Sequence, residues 1–125
     1  MKLLGIDYGK KKIGIAVSDS DGRMAFPKEV IKNDVHTILY IVNLVKQEGV
    51  DAVIVGESTD YKGEENPIME DIKRFNKTIT KKANVPVYLE PETLSTKEAE
   101  HIQERHDKID ASAAAIILQS YIDRV

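Results

Sequence analysis

The sequence predicts a single α/β domain, residues 1–125, built on a five-stranded mixed sheet, and two observations lead to that prediction. First, the chain opens with three short apolar runs separated by turn residues, which is typical of an antiparallel meander. Second, from residue 34 onward the apolar spacing alternates between helical and strand periods, giving the order βββαβαβαα. We therefore expect helices on both faces of the sheet and the first strand near its centre.

The composition narrows the class of protein and the chemistry open to it. The 18 basic and 21 acidic residues give a net charge of −3, which argues against coating nucleic acid through bulk charge. The absence of cysteine excludes disulfides, thiolate zinc sites and a cysteine nucleophile. We find no signal-peptide pattern and no apolar run near the roughly 20 residues of a spanning helix, so we expect a cytoplasmic protein without membrane contact.

The first three strands are predicted from apolar runs and the turns between them. Residues 3–7 and 13–18 are predicted to be strands joined by a tight connection at 8–12. A third run, Met24 to Ile31, contains Pro27, which cannot donate a hydrogen bond to a neighbouring strand. We therefore expect this strand to lie at an edge of the sheet or to carry a bulge.

The next two elements are a helix and a buried strand. Asp34 is predicted as the N-cap of a helix whose apolar stripe begins at Val35 and which stops at Gly49. Residues 51–56 form a short, continuous apolar run, as expected for a central strand that is covered on both faces.

The second half of the chain continues the alternation of helices and strands. Asn66 is predicted as an N-cap and Pro67 as the first helical position of the second helix. The remaining predicted elements are a fifth strand at 85–89, a third helix that opens with the capping box 95–98, and a last helix from about 110 to 122.

Three carboxylates stand where α/β sheets bind ligands. Asp7 ends the first strand, Glu92 follows the fifth strand, and Asp110 opens the last helix. The carboxyl ends of the first and fifth strands can meet at one edge of the sheet. The small residues 111–115 let the last helix approach closely and place Asp110 beside Asp7. Carboxylates that converge in this way need cations, and hard oxygen ligands suit Mg²⁺ or Mn²⁺.

This arrangement indicates phosphodiester hydrolysis. Two such ions about 3.5–4 Å apart can activate a water molecule and stabilise the leaving oxygen. Lys10, Lys11 and Lys12, beside Asp7, could hold the substrate backbone. Taken singly, each residue has a simpler interpretation: Asp110 as a helix N-cap, Glu92 as a solvent-facing loop carboxylate, and the lysines as a solvated turn. The arrangement as a set favours the functional interpretation.

The motifs that carry these residues resemble those of the YqgF/RuvX family. Residues 5–19, Gly5-Ile-Asp-Tyr-Gly-Lys-Lys-Lys-Ile-Gly-Ile-Ala-Val-Ser-Asp19, resemble the opening signature of the family. Residues 92–96 resemble its second motif and residues 110–121 its last. The resemblance covers essentially the whole chain, with the motifs in the family's order and spacing. Members of that family are described as Holliday junction resolvases and as nucleases that mature pre-16S ribosomal RNA.

The resemblance implies an RNase H-like fold in which strands 1–3 are antiparallel and strands 4–5 parallel. It also implies that Asp7, Glu92 and Asp110 are the catalytic, metal-binding acids of a nuclease. Our hypothesis is that Asp7 bridges two Mg²⁺ or Mn²⁺ ions, that Glu92 and Asp110 each complete one ion's shell, and that Lys11 or Lys12 contacts phosphate. The expected partner is ribosomal RNA precursor, with ribosomal particles, or branched DNA, bound by a monomer or a homodimer.

The chain departs from the family pattern where substrate is held. Lys12 replaces the usual arginine, Pro91 and Thr93 replace aspartate and arginine, and Gly56-Glu-Ser58 replaces Gly-Leu-Pro. Two guanidinium groups suited to bidentate phosphate contacts are therefore absent, and lysine replaces only one of them. These departures favour an alternative, a non-catalytic nucleic-acid- or ribosome-associated module. The opening stretch also resembles the first phosphate loop of sugar kinases, actin and Hsp70-type ATPases, but those proteins need two such domains.

Overall fold

In a computed structural model, the described residues, 1–57, 67–91 and 111–125, form a five-stranded sheet with helices on both faces. The predicted third helix, Asn66, Glu92 and Asp110 lie outside the described residues. The elements are β1 (Leu3–Tyr8), β2 (Lys12–Ser18), β3 (Ala25–Lys32), α1 (Thr37–Glu48), β4 (Ala52–Gly56), α2 (Ile68–Ala83), β5 (Val87–Glu90) and α3 (Ser112–Arg124).

The strand order is β3-β2-β1-β4-β5, so β1 lies at the centre, as predicted. β1 pairs with β2 and β2 with β3 in antiparallel fashion, whereas β1–β4 and β4–β5 are parallel. The carboxyl ends of β1, β4 and β5 therefore meet at one edge of the sheet. This edge is where parallel strands place ligands.

β3 is an edge strand and also carries a bulge, so both possibilities predicted from Pro27 are confirmed. Ile15 pairs with Glu29, but the next residue of β2, Ala16, pairs with Pro27, which leaves Lys28 as the extra residue. The missing N–H of proline is tolerated here because one side of an edge strand has no neighbour.

The two faces of the sheet bury different helices. Residues such as Leu4, Ile6 and Val53 pack with α1 and α2 in the larger cluster, whereas Leu3 and Ile54 pack with α3 in the smaller one. Alternate residues of β1 and β4 thus belong to opposite hydrophobic clusters, because successive side chains of a strand point to opposite faces of the sheet. The prediction that residues 51–56 form a central strand covered on both faces is confirmed. No helix in the described part of the chain is long and apolar enough to cross a lipid bilayer.

The start of α1 differs from the prediction. Asp34 was expected to be the N-cap, but the helix begins at Thr37 and is preceded by His36, which makes no side-chain cap. Asp34 instead forms a local turn, in which its Oδ1 accepts the N–H of His36 at 2.9 Å. Such side-chain hydrogen bonds compete with helix formation. Val35 consequently leaves the apolar stripe and is 91% exposed, whereas the predicted stop at Gly49 is confirmed by its left-handed φ of 64°.

Most other element boundaries shift by one or two residues, and three of them illustrate the reasons. α2 begins at Ile68, directly after Pro67, and α3 begins at Ser112. β5 covers Val87–Glu90 because Pro86 has no N–H to donate, although its carbonyl accepts the N–H of Val53 at 3.0 Å. Helix ends commonly differ by this amount, so the predicted elements themselves are confirmed.

α3 rests directly on the backbone of β1 at Gly5. A Cβ at this position would lie 2.7 Å from Leu118 Cβ and 2.9 Å from the Ala114 carbonyl oxygen. The prediction that small residues let the last helix approach the sheet closely is therefore confirmed at Ala114, which is fully buried.

We expect Gly5→Ala to lower the free energy of unfolding by about 1–3 kcal/mol, because the added methyl group overpacks a contact made partly by backbone. Urea denaturation followed by circular dichroism measures this loss. A Gly5→Ala protein with the midpoint of the wild type would show that α3 does not pack this closely on β1.

Candidate active site at the carboxyl edge of the sheet

Asp7 stands near the end of the central strand, in a row of directly paired residues that contains Gly14 of β2 and Gly56 of β4. It is half-buried, and alternation with Gly5 places it on the α3 face of the sheet. The residue directly across on β2 is Gly14. Extending the β1–β4 register by one residue puts Gly56 at the same level on the other side. Neither neighbouring strand therefore contributes a side chain of its own next to the Asp7 carboxylate.

The same row ends at Glu90, the last residue of β5. Gly56 pairs with Glu90, so two strand spacings place the Glu90 backbone roughly 10 Å from that of Asp7. Glu92 follows two residues later, and two residues of chain span at most about 7 Å. Chain length thus permits the predicted approach of Glu92 to Asp7, while the position of Glu92 stays a prediction.

Glu90 is a buried acid that the sequence prediction did not single out. Its side chain is 3% exposed, and Arg124 donates to it through Nε at 3.0 Å and Nη2 at 2.6 Å. Ser120 Oγ donates at 3.2 Å. The hydrogen bond that Arg124 donates to the Glu90 carboxylate raises the pKa of Arg124 above its ordinary value. These contacts join the end of β5 to α3 and give the buried Glu90 carboxylate a counter-charge from the protein itself.

The connection between β1 and β2 is a fixed turn. The N–H of Gly9 donates to the Lys12 carbonyl at 2.9 Å, and a Cβ on Gly9 would lie 2.6 Å from that oxygen. Asn33 holds the turn from the side: its Nδ2 donates to the Gly9 carbonyl at 2.8 Å and its N–H to the Lys11 carbonyl at 2.9 Å. Asn33 was not identified from the sequence, where it follows a strand like any turn residue.

The three predicted lysines are exposed but do not occupy equivalent places. Lys10 and Lys11 lie in the turn, whereas Lys12 begins β2 and alternates with Gly14. Lys12 is therefore on the same face as Asp7 and is its diagonal neighbour, a relation that separates Cα atoms by about 7–8 Å. A lysine side chain spans that distance, so Lys12 is the best placed of the three to act together with Asp7.

Of the three predicted acids, the structure describes Asp7, and it forms the centre of the candidate site. Glu92 and Asp110 lie outside the described ranges. Within residues 1–57, 67–91 and 111–125, no three acidic or histidine side chains gather as a metal site. The convergence of the three acids therefore stays a prediction.

A cleft of about 220 Å³ lies on the opposite face of the sheet, where Tyr8, Asp34, Asp71 and Arg74 contribute to its walls. The Tyr8 ring contacts Phe75 with 5.1 Å between centroids, which ties the end of β1 to α2. Because Tyr8 and Asp7 point to opposite faces, this cleft is separate from the candidate site.

The fold defines the class of protein. The "Thermus thermophilus RuvC structure" superposes with a TM-score of 0.64 at 16% identity, covering 96% of this chain and 92% of that one. The "fowlpox virus Holliday junction resolvase" superposes with a TM-score of 0.58 at 16% identity, covering 99% of each chain. At this identity the likeness concerns the fold alone. The protein has the RNase H-like fold of the resolvases, as predicted.

Sequence comparison defines the family. The family model described as "RuvX: Holliday junction resolvase" matches residues 1–124. A protein of Nitratidesulfovibrio vulgaris is 36% identical over 98% of this chain and 93% of its own length, and one of Lawsonia intracellularis is 37% identical over 99% and 94%. Both are named "Putative pre-16S rRNA nuclease". The chain belongs to the RuvX family, and these findings favour the predicted nuclease over the non-catalytic module.

Proposed function

We propose that this protein is a metal-dependent nuclease that hydrolyses phosphodiester bonds in the precursor of 16S ribosomal RNA. The observation that carries this proposal is the position of Asp7 at the carboxyl end of the central strand, between two glycine positions and diagonal to Lys12. The names of the full-length relatives support the choice of substrate. This function requires access to ribosomal particles, which is consistent with the predicted cytoplasmic location.

The donor chemistry at Asp7 fits a divalent metal ion. A carboxylate is a hard oxygen ligand of the kind that Mg²⁺ and Mn²⁺ prefer, and the residues directly across from Asp7 on β2 and β4 are glycines, which contribute no competing side chain. Glu90 is not counted among the ligands in this proposal, because Arg124 already neutralises its charge and Ser120 donates to it as well. In this proposal Asp7, Glu92 and Asp110 would be the residues that hold the metal ions. When bound, such ions polarise the phosphoryl group and activate water.

The lysines of the turn supply the contact with substrate. An exposed ammonium neutralises phosphate charge without distinguishing bases, so Lys10, Lys11 and Lys12 would fix the strand rather than select its sequence. Lys12, on the face of Asp7, would hold the phosphate nearest to the bond that is cut. Because lysine lacks the planar guanidinium group of arginine, phosphate binding here depends on charge more than on hydrogen-bond geometry.

A second candidate substrate is the four-way DNA junction, which the description of the matching family favours. A junction is resolved by two cuts, so this activity would require two copies of the site and hence a homodimer. Ribosomal RNA processing sets no such requirement.

A cleavage panel tests the proposal and separates the two substrates. Wild type and Asp7→Asn are compared on labelled 16S precursor ends, four-way DNA junctions and single strands of both nucleic acids, with Mg²⁺, with Mn²⁺ and with a chelator. We expect wild type alone to cut the RNA precursor, and only with metal. Equal activity of the two proteins, or cutting in the presence of the chelator, would overturn the proposal.

A further inference from the structure

A second exposed lysine stands directly opposite Lys12. In the antiparallel ladder between β2 and β3, Lys12 pairs with Lys32, and both side chains are exposed. Residues that face each other in this way have Cβ atoms about 4.5–5.5 Å apart, and like charges at that distance oppose pairing of the strands. The end of the edge strand β3 is therefore destabilised by repulsion between Lys12 and Lys32.

Among the described residues, no acidic side chain forms an ion pair with Lys12 or Lys32. The nearest acid on β3, Glu29, faces the other layer, where the hydroxyl of Tyr40 donates to it. The bulge lysine, Lys28, pairs with Glu48, so the strand does form ion pairs where an acid is available. Natural proteins break local rules of this kind mainly at functional or strained sites.

Lys32 lies on the same face of the sheet as the candidate site. Asp7 pairs with Gly14, Gly14 with Val30, and the next pair on that face is Lys12 with Lys32. The two cations therefore lie one step along the strands from the Asp7 row and extend from β2 to the free edge of the sheet. Lys32 is not part of the motifs that resemble the family.

We propose that Lys32 and Lys12 together bind the phosphodiester backbone of the substrate strand, which crosses β2 and leaves the site over β3. This inference rests on the proposed nuclease function for the identity of the strand. Charge complementarity indicates the partner: two adjacent ammonium groups that form no ion pair with any described acid fit a polyanion. The contact is to phosphate, so it is independent of base sequence and shared by RNA and DNA.

The test measures how binding of a labelled single-stranded oligonucleotide depends on salt, with the same sequence made as RNA and as DNA. Because each phosphate contact on a single strand contributes a slope of about −0.7 to log K against log[salt], we expect Lys32→Ala to reduce the slope by about that amount. We expect this for both nucleic acids, together with a weaker affinity at low salt. Lys32→Arg should restore the wild-type slope.

Lys82→Ala is the matched control, since Lys82 is an exposed lysine in the last turn of α2, before β5 begins. It should leave the salt slope unchanged. In cleavage assays Lys32→Ala should raise KM several-fold relative to the wild type, with kcat within about twofold of it. The Tm of Lys32→Ala should not fall below that of the wild type, because the substitution removes the repulsion between Lys32 and Lys12. A wild-type slope in Lys32→Ala, or an equal loss in Lys82→Ala, would overturn the inference. Cleavage by Asp7→Asn would instead overturn the proposed function while leaving the binding result intact.

Discussion

Replacing Asp7 by asparagine should reduce the rate of nucleic acid cleavage by roughly 10²–10³-fold or more. Asparagine keeps the size of the side chain but removes its negative charge, so it binds a divalent cation far more weakly than a carboxylate does. The effect should be large because Asp7 is the acid that the fold places at the centre of the carboxyl edge, beside Lys12. Single-turnover rates on the substrate that the cleavage panel identifies measure this directly.

The control for Asp7→Asn is the stability of the protein with and without metal. The half-buried side chain lies in a row whose neighbours are glycines, so the neutral variant should fold and melt near the wild type in a chelator. Mn²⁺ should raise the Tm of the wild type but not that of Asp7→Asn, because binding to the native state stabilises it. An equal shift in both proteins would place the metal elsewhere in the chain.

Much of the fold could be predicted because the apolar pattern and the turn residues agree. Pro27 required an edge strand or a bulge, and β3 is both. Gly49 required the end of a helix, and it adopts the left-handed conformation there. The prediction was wrong at Asp34 and Val35, where a side-chain hydrogen bond forms a turn that the helical spacing of the apolar residues concealed.

The site was harder to predict because it depends on pairing register. The sequence singled out Lys10, Lys11 and Lys12 as equals, and only the ladder shows that Lys12 alternates with Gly14 onto the face of Asp7. Lys32 could not be identified at all, because the bulge at Lys28 shifts the register between β2 and β3. A one-residue shift in register moves every later side chain to the opposite face of the sheet. The sequence of β3 alone therefore does not show which face Lys32 occupies.

Glu90 shows a second reason why the site was hard to predict from the sequence. The reasoning applied to Asp7, that an acid in an apolar strand needs a cation, holds equally for an acid at the end of β5. The cation that satisfies it, Arg124, is 34 residues away, in a helix whose orientation no local pattern reveals. Both acids stand at the same edge of the sheet, and the packing of α3 is what brings Arg124 to Glu90.

The pair Glu90–Arg124 makes the largest stability prediction. Arg124→Ala should lower the Tm by roughly 5–10 °C, because it leaves a carboxylate that is 3% exposed without its cation. Glu90→Gln should cost less, since a neutral amide needs no counter-charge and can still accept from Ser120 and Arg124. In the double variant the two losses should not add, because removing either partner already breaks the same interaction.

Glu48→Gln is the matched control. Glu48 pairs with Lys2 at 2.8 Å and with Lys28 at 3.4 Å, but these three side chains are 26–29% exposed, so solvent screens the ion pairs. Its Tm should fall by only about 1–2 °C. The hydrogen bond from Lys2 lowers the pKa of Glu48, so this small contribution is present at neutral pH and disappears as the pH falls through the lowered value. If Arg124→Ala melts as close to the wild type as Glu48→Gln does, Glu90 does not depend on Arg124 for its burial. The end of β5 would then be held to α3 by the stacked rings of Tyr88 and Tyr121 instead.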